Sequence, residues 1–334
     1  MNHRNTTDLV VTGLAVVEAE GFDHRTALGR RGYKYLPLAA QYFLAAARRA
    51  QDGPGEAARE ATDPRRRAAT VGTNSAAVAL HAAMDRTVLE AGADDLSPLT
   101  APYFSINTYI TKLAVEQSLK GFNITCTSPR TAGVEALETG VRSLAAGRAD
   151  WLLAGATEAG LPPGAPGAAH SEAGAVALVL ERAEAVAARG GTALGRLAAR
   201  TFFLPPRTAA GPDGARRAAD RIAEALAALG HPEDGDAPVT AVLDDSPVGR
   251  AVAAALGDRA RPVPAGAGCL APLRQLAGQL TAGPGPRAVV TAAAEGNVGV
   301  CVTTAAAPGE PAAAPEERAA GRPATAEQPA DAGR

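Results

Sequence analysis

Short apolar runs rich in β-branched residues alternate with amphipathic segments along most of the chain, and this alternation constrains the fold more than any other feature. The runs predict buried strands, and the segments between them carry apolar residues at helical spacing. Strands that alternate with helices predict an α/β protein with buried sheets. The predicted strands are 9–17, 69–72, 123–127, 151–156, 173–180, 194–203, 239–243, 288–292 and 298–303.

The order of elements repeats, which divides the chain into two similar halves. We predict an N-terminal half over 1–181 and a C-terminal half over 182–304. Residues 305–334 are rich in Ala, Pro and Glu and have almost no larger apolar side chain, so they are predicted to be a disordered tail. Prolines and arginines in 51–67 predict a loop there.

Charge and cysteine content exclude several classes of function. The 33 basic residues oppose 35 acidic ones, and a net charge of -2 favours neither nucleic acid nor an anionic membrane as a partner. No apolar run approaches the roughly 18 residues of a membrane span, and the first residues lack the apolar region of a signal peptide. Three widely spaced cysteines predict neither a disulfide framework nor a metal site, so we expect a cytoplasmic protein.

The stretch KGFNITCTSPRTAGVEAL at 120–137 resembles the nucleophile-elbow region of the β-ketoacyl synthases. The resemblance continues upstream in VVTGLAVV at 10–17, and downstream in GRADWLLAGATE at 147–158 and SEAGAVALVLERAEAVAARG at 171–190. It implies a thiolase-like fold of five layers, αβαβα, built from two halves that each carry a mixed five-stranded sheet. The helix predicted over 131–146 is then expected to lie between the two sheets.

The resemblance places Arg130 where the family has its nucleophilic cysteine. A ketosynthase holds its acyl chain as a thioester on that sulfur, and a guanidinium cannot be acylated at neutral pH. Cys126 stands four residues earlier, in the incoming strand and not on the exposed turn. Two interpretations of Arg130 stay open: it plugs the vacated pocket by pairing with a carboxylate or reaches a partner subunit, or it takes part in chemistry directly.

The family also requires two histidines from its C-terminal half, and this chain has no histidine after His231. Asp244 lies near the position of the first histidine, and Gly268 or Cys269 takes the position of the second. Because the nucleophile and both histidines are missing, we expect this chain to have no catalytic residues and no condensing activity alone.

Ketosynthases with these losses resemble the chain length factors, the β subunits of type II polyketide synthases. The sequence Ala-Pro-Leu at 271–273 reproduces one of their features, and the short segment between Glu158 and Ser171 resembles compact pairs that make reduced polyenes. The resemblance implies a non-catalytic subunit that forms a heterodimer with an active ketosynthase, helps to shape the acyl tunnel and sets chain length. It implies no cofactor, since an acyl carrier protein presents the substrate on its phosphopantetheine arm.

Two other functions stay open at this stage. One is a decarboxylase or acyltransferase that depends on acyl carrier protein and uses Arg130. The other is a homodimeric scaffold that binds acyl carrier protein. An adjacent gene for a ketosynthase with intact cysteine and histidine residues would favour the subunit over the scaffold.

The resemblance also indicates where chain length would be set. In the family, the stretches equivalent to 121–127 and 97–109 form the dimer interface, and the tunnel of the active subunit ends there. The second stretch is rich in large side chains, and either a tunnel lining or a hydrophobic core would explain them. The candidates for the tunnel and interface are Leu99, Tyr103, Phe104, Ile106 and Tyr109.

Overall fold

The structure, a computed structural model, describes residues 8–52, 54–232 and 237–306, and the side chain of Tyr109 lies outside what it describes. The strands are β1 (Leu9–Glu18), β2 (Arg67–Gly72), β3 (Asn123–Cys126), β4 (Trp151–Glu158), β5 (Gly174–Arg182), β6 (Gly195–Phe203), β7 (Val239–Leu243), β8 (Ala260–Pro264), β9 (Gly285–Ala292) and β10 (Asn297–Ala305). The helices are α1 (His24–Leu28), α2 (Leu38–Ala50), α3 (Pro54–Ala61), α4 (Val78–Glu90), α5 (Thr108–Glu116), α6 (Ala132–Ala145), α7 (Ala183–Ala188), α8 (Pro206–Ala209), α9 (Gly214–Ala228), α10 (Pro247–Leu256) and α11 (Leu270–Thr281).

The strand order is the same in both halves. The order in the first half is β3-β2-β4-β5-β1, and the second half repeats it in reverse as β6-β10-β9-β7-β8. In each half the last strand, β5 or β10, runs antiparallel to both of its neighbours, while the other pairings are parallel. A short ladder between β1 and β6, which pairs Val10 with Arg196 and Val11 with Gly195, joins the two units edge to edge. The predicted mixed five-stranded sheets are therefore confirmed, and they are continuous through this ladder.

Five layers follow from the helix contacts. Helices α6 and α11 pack against each other and against strands of both halves, so they form the central layer. Helices α2 and α5 cover the outer face of the first sheet, and α9 and α10 cover the outer face of the second. The predicted αβαβα thiolase-like architecture and the central position of the helix over 131–146 are confirmed.

The hydrophobic core explains why α6 is central. Its Val134, Leu137, Val141 and Leu144 are all fully or almost fully buried and lie along one side of the helix. The small buried residues Ala132, Gly133, Ala136 and Gly140 widen this buried face to more than half of the circumference. Burial of each of the larger side chains contributes about 1.5–3 kcal/mol. Gly72 at the end of β2 allows the start of α6 to approach, because a Cβ there would lie 2.3 Å from the carbonyl carbon of Ala132.

Several elements differ from the sequence prediction. The stretch predicted as a loop at 51–67 contains α3, because a proline in the first turn of a helix costs no hydrogen bond. Strand β8 was not predicted, since Pro262 and Pro264 interrupt its apolar pattern; both residues are tolerated because β8 is an edge strand. The first repeat ends with β5 at Arg182 and the second with β10 at Ala305, one residue past the predicted boundaries. Most of the predicted tail, 307–334, lies outside the described residues.

Across the described ranges, no helix is long and apolar enough to span a lipid bilayer.

Candidate functional site

Arg130 occupies a tight turn between β3 and α6. Its φ of 56° lies in the left-handed region, which a residue with a side chain adopts at a cost of roughly 1–2 kcal/mol. Among the described residues, Ser118 is the one other non-glycine residue with a positive φ. The turn closes by a hydrogen bond from the backbone N–H of Ala132 to the carbonyl of Ser128 at 3.1 Å. This strand-turn-helix geometry holds the side chain of residue 130 out of both flanking elements.

The structure brings Arg130 and Asp244 together. The guanidinium Nη1 of Arg130 forms an ion pair with Asp244 Oδ2, and its Nε donates to the carbonyl of Gly266 at 3.1 Å. The other oxygen of Asp244 accepts from the backbone N–H of Ser246 at 3.1 Å, which fixes the carboxylate at the start of α10. The two side chains therefore neutralise each other's charge, although they stand 114 positions apart in the chain. They occupy the positions that the sequence predicts for the nucleophile and the first histidine.

Gly268 and Cys269, the candidates for the second-histidine position, provide no acid or base that could replace a histidine. Cys269 is fully buried, and burial, reinforced by the nearby carboxylate of Glu158, raises the pKa of its thiol well above the ordinary value. A Cβ on Gly268 would lie 2.8 Å from the carboxyl carbon of Glu158, so this position has no room for a side chain. The second-histidine position is thus part of a packed junction.

Glu158, which sequence reasoning did not identify, organises this junction. Its fully buried carboxylate accepts hydrogen bonds from the backbone N–H of Asn74, Ser75 and Cys269 at 2.8, 2.6 and 2.9 Å. The hydroxyls of Thr73 and Ser75 donate to the same group at 3.1 and 2.7 Å. The sequence does carry a signal for Glu158, since this glutamate ends the otherwise uncharged strand WLLAGATE. A charge buried with such a strand needs several hydrogen-bond donors around it.

Glu172 is a second buried carboxyl group at the same junction. Its Oε1 accepts from the backbone N–H of Ala271 at 2.7 Å, while its buried Oε2 has no hydrogen-bond partner among the described residues. Burial raises the pKa of Glu172, and the neighbouring Glu158 adds to the effect. Together the two glutamates cap the start of α11.

An open groove of about 870 Å³ lies beside the ion pair. Its polar lining mixes cations with acids, and its apolar lining comes mainly from β8 and α10; it includes Arg130, His170, Asp244, Asp245, Arg250 and Val263. The described residues that line it include no cysteine, serine, threonine or lysine. Among its described lining residues, the groove therefore offers no thiol, hydroxyl or primary amine that could hold an acyl group as a thioester, ester or amide. Within the described ranges, no three histidine, cysteine or acidic side chains are grouped as metal ligands.

The five tunnel candidates lie away from this groove and differ in burial. Leu99 and Phe104 are 54% and 62% exposed, whereas Tyr103 and Ile106 pack against the core between α2, α5 and the first sheet. The side chain of Tyr109 lies outside the described residues. The structure thus divides these candidates into exposed side chains and side chains that support the core.

The two edges of the sheet are unlike. At one edge, β3 pairs with β2 alone, and a groove of about 820 Å³ separates it from α5, whose Val115 is 71% exposed. At the other edge, β8 carries Pro262 and Pro264, which lack the N–H groups that a further strand would need. Of the two edges, β3 is the one that is open to pairing.

The chain is similar to known proteins in both sequence and fold. A family model described as the N-terminal domain of beta-ketoacyl synthases matches residues 4–194, more than half of the chain. The 3-oxoacyl-(acyl-carrier-protein) synthase 2 of Vibrio cholerae serotype O1 is 26% identical over 163 residues, which are 49% of this chain and 39% of that protein. The sequence match therefore spans well under half of this relative's length.

Solved structures share the fold over most of the chain. The ishigamide ketosynthase/chain length factor superimposes with a TM-score of 0.73 at 20% identity, over 89% of this chain and 99% of that chain. A type II polyketide synthase acyl-carrier protein in complex with its ketosynthase bound to the hexaketide gives a TM-score of 0.70 at 15% identity, over 89% and 99% of the two chains. At these identities the similarity establishes a common fold.

Proposed function

Because the chain belongs to the β-ketoacyl synthase family, we propose that it is a non-catalytic subunit resembling a chain length factor, which pairs with an active ketosynthase. In this role it helps to shape the acyl tunnel and to set chain length in type II polyketide biosynthesis, including that of reduced polyenes. It needs no cofactor of its own, because an acyl carrier protein presents the substrate on its phosphopantetheine arm.

The ion pair between Arg130 and Asp244 carries this proposal. It occupies the positions at which the resemblance places the nucleophile and the first histidine of the family, and it leaves neither a thiol nor an unpaired carboxylate at those two positions. A ketosynthase needs a thiolate at this turn and a titratable partner beside it. A chain that has replaced both by a neutralised pair retains the fold and the surfaces of the family without its chemistry.

The free edge of β3 supports pairing with a second ketosynthase-like chain. The backbone N–H groups of Ala69 and Thr73 donate to the carbonyls of Phe122 and Cys126. These bonds show that every second residue of β3 directs its N–H and C=O groups towards β2. The N–H and C=O groups of Asn123 and Thr125 therefore point to the open side. A strand of the same type added there would extend the sheet across the dimer, as edge strands commonly do when they are not protected.

A basic surface supports contact with a carrier protein. The segment 24–38 has four exposed cations, Arg25, Arg30, Arg31 and Lys34, and no acidic residue. Tyr35, which lies under the Lys34 ammonium, is also exposed. A partner of opposite charge would associate faster and in a defined orientation at such a surface.

The alternative of a decarboxylase or acyltransferase that uses Arg130 is less favoured by the geometry. A substrate carboxylate would have to displace Asp244 from the guanidinium, which would leave that partly buried carboxylate without its partner. The homodimeric scaffold would pair with a second copy of this chain and have no part in setting chain length, so an experiment that identifies the partner separates these two.

Co-expression with a catalytically competent type II ketosynthase tests the proposal. We expect a stable 1:1 complex with that subunit, and we expect Thr125→Pro to abolish it because proline removes the N–H on the open side of β3 while the bonds to β2 remain. Thr125→Ala is the matched control and should assemble normally. A homodimer that excludes the ketosynthase would favour the scaffold, and a complex that forms equally well with Thr125→Pro would contradict pairing through β3.

A further inference from the structure

A cavity of about 640 Å³ lies in the C-terminal half of the molecule, between α9, the start of β7 and the end of α10. We call it the α9 cavity. Among the described lining residues it shares only Leu256 with the groove beside Arg130, so the two are distinct. Buried Ile222 and Val239 line it together with exposed Arg259, so it extends from the core to the surface. Its volume falls within the roughly 300–1,000 Å³ of small-molecule sites.

The α9 cavity has room because one row of side chains on α9 is small. Ala219, Ala223 and Ala227 stand four residues apart along the helix, which places them on the same face. All three line the cavity, and none of them reaches beyond its Cβ. Protein interiors leave few voids larger than a water molecule, so a cavity of this size is a departure from ordinary packing.

His231 provides a second, independent reason to expect a ligand. This residue lines the cavity and is 7% exposed, and its Nδ1 donates to the carbonyl of Pro232 at 3.1 Å. Its Nε2 is buried and has no hydrogen-bond partner among the described residues. Because buried polar atoms are nearly always partnered in folded proteins, an unpartnered nitrogen on a residue that borders a cavity points to a partner bound in that cavity.

The bond to Pro232 determines which kind of partner Nε2 needs. A carbonyl oxygen can only accept, so Nδ1 carries the proton of the ring. Burial lowers the pKa of His231, although the bond to Pro232 opposes this effect, so the ring is neutral near pH 7. In this neutral form Nε2 has a lone pair and no hydrogen. The missing partner is therefore a hydrogen-bond donor.

The rest of the lining limits what else the ligand contains. Among the described residues that line the cavity, His231 and Arg259 are the two with polar side chains, and the others are alanine, proline, isoleucine, leucine or valine. The guanidinium of Arg259 has donors and no acceptor. A hydroxyl group suits both residues, because it donates one hydrogen bond and accepts others. A carboxylate has no hydrogen for Nε2, and an ammonium group would be repelled by Arg259.

We propose that the α9 cavity binds a neutral apolar alcohol or phenol, whose hydroxyl donates to Nε2 of His231 and accepts from Arg259 while its apolar part fills the space beside α9. The inference does not rest on the proposed function. The cavity borders β7, next to the β8 edge of the sheet, whereas the proposed pairing uses β3 at the opposite edge.

Calorimetric titration of the full-length chain with 1-naphthol and with 1-methoxynaphthalene tests the role of the hydroxyl. The two probes have nearly the same shape, but the ether has no hydrogen to donate. We expect 1-naphthol to bind at one site about tenfold more tightly than the ether, as one hydrogen bond predicts. His231→Asn keeps a donor for the Pro232 carbonyl but has no atom in the place of Nε2, so there the difference should fall below about twofold.

A second pair of variants locates the binding and does not depend on the folding of the histidine variant. Ala223→Leu places a larger side chain in the cavity from an exposed position of α9, and it should weaken 1-naphthol binding at least about tenfold. Ala228→Leu is the matched control, because Ala228 is exposed on the same helix and does not line the cavity; it should change the affinity less than about twofold.

Three results would overturn the proposal: no saturable binding of 1-naphthol, an ether that binds as tightly as 1-naphthol, or Ala223→Leu that binds 1-naphthol as tightly as Ala228→Leu does. None of them affects the co-expression experiment with a ketosynthase, so the two proposals fail separately.

Discussion

Replacing Asp244 with asparagine tests whether the ion pair at the elbow holds the two halves of the molecule together. The Arg130 and Asp244 side chains are 23% and 19% exposed, which places this pair between exposed pairs, worth about 0–1 kcal/mol, and buried pairs, whose disruption costs about 3–5 kcal/mol. We therefore expect Asp244→Asn to lower the free energy of unfolding by about 2 kcal/mol. Asparagine keeps the acceptor for the backbone N–H of Ser246, so the loss reports the charge.

Arg130→Gly removes the same ion pair, but glycine adopts the left-handed backbone conformation at this position without the strain of a side chain, which restores about 1 kcal/mol. The net loss in the free energy of unfolding should therefore be about 1 kcal/mol. In the double variant the two losses should not add, and the coupling energy should be about 1–2 kcal/mol. The assay is urea unfolding followed by the fluorescence of Trp151, the single tryptophan of the chain, which is fully buried in β4. The exposed neighbour Asp245, changed to asparagine, is the control. The reasoning is refuted if Asp244→Asn costs no more than Asp245→Asn, or if the coupling energy is below about 0.3 kcal/mol.

Three further predictions follow from backbone strain, burial and titration. Ser118→Gly should raise the free energy of unfolding by about 1 kcal/mol because Ser118 has a φ of 53°, and a urea midpoint no higher than that of Ser118→Ala would contradict this. Phe104→Ala should change the free energy of unfolding by no more than about 0.5 kcal/mol and should lengthen the product of the reconstituted pair, whereas Ile106→Ala should lower the free energy of unfolding by about 2 kcal/mol. An unchanged product length from an intact Phe104→Ala complex would exclude Phe104 from the tunnel. Burial raises the pKa of Glu172 in the folded state, so the free energy of unfolding should fall as the pH rises from about 4.5 towards the pKa of the folded state. Glu172→Gln should flatten the pH profile of the urea midpoint. An equal slope in both proteins would contradict the raised pKa of Glu172.

The layered fold could be predicted from the sequence because its strands and helices are strongly periodic and because the elbow segment resembles a known family. Strand β8 could not be predicted in this way, since two prolines in five residues contradict a strand unless its place at the sheet edge is known. Helix α3 was missed for a related reason: Pro54 ends a pattern when it is read along the sequence, but it is compatible with the first turn of a helix.

The candidate site was predictable in its residues but not in its contacts. Arg130 and Asp244 were each identified from their place in the chain, yet only the fold shows that their side chains meet across 114 positions. Glu158 and Glu172 were missed because their role depends on backbone N–H groups of other segments. The glutamate at the end of an otherwise uncharged strand marks Glu158 in the sequence, but the partners of its carboxylate become visible only in the fold. The hydrogen bonds of the Glu135 carboxylate with Ser128, Thr131 and Asn297 likewise become visible only in the fold.

The most direct test of the central claim is the intact mass of both subunits after the reconstituted pair has been incubated with acyl-loaded carrier protein. A non-catalytic role predicts that the ketosynthase partner gains the mass of one acyl group, while this chain keeps its unmodified mass because its elbow carries Arg130 in place of a thiol. An acyl adduct on this chain, at the elbow or at any other residue, would contradict the account.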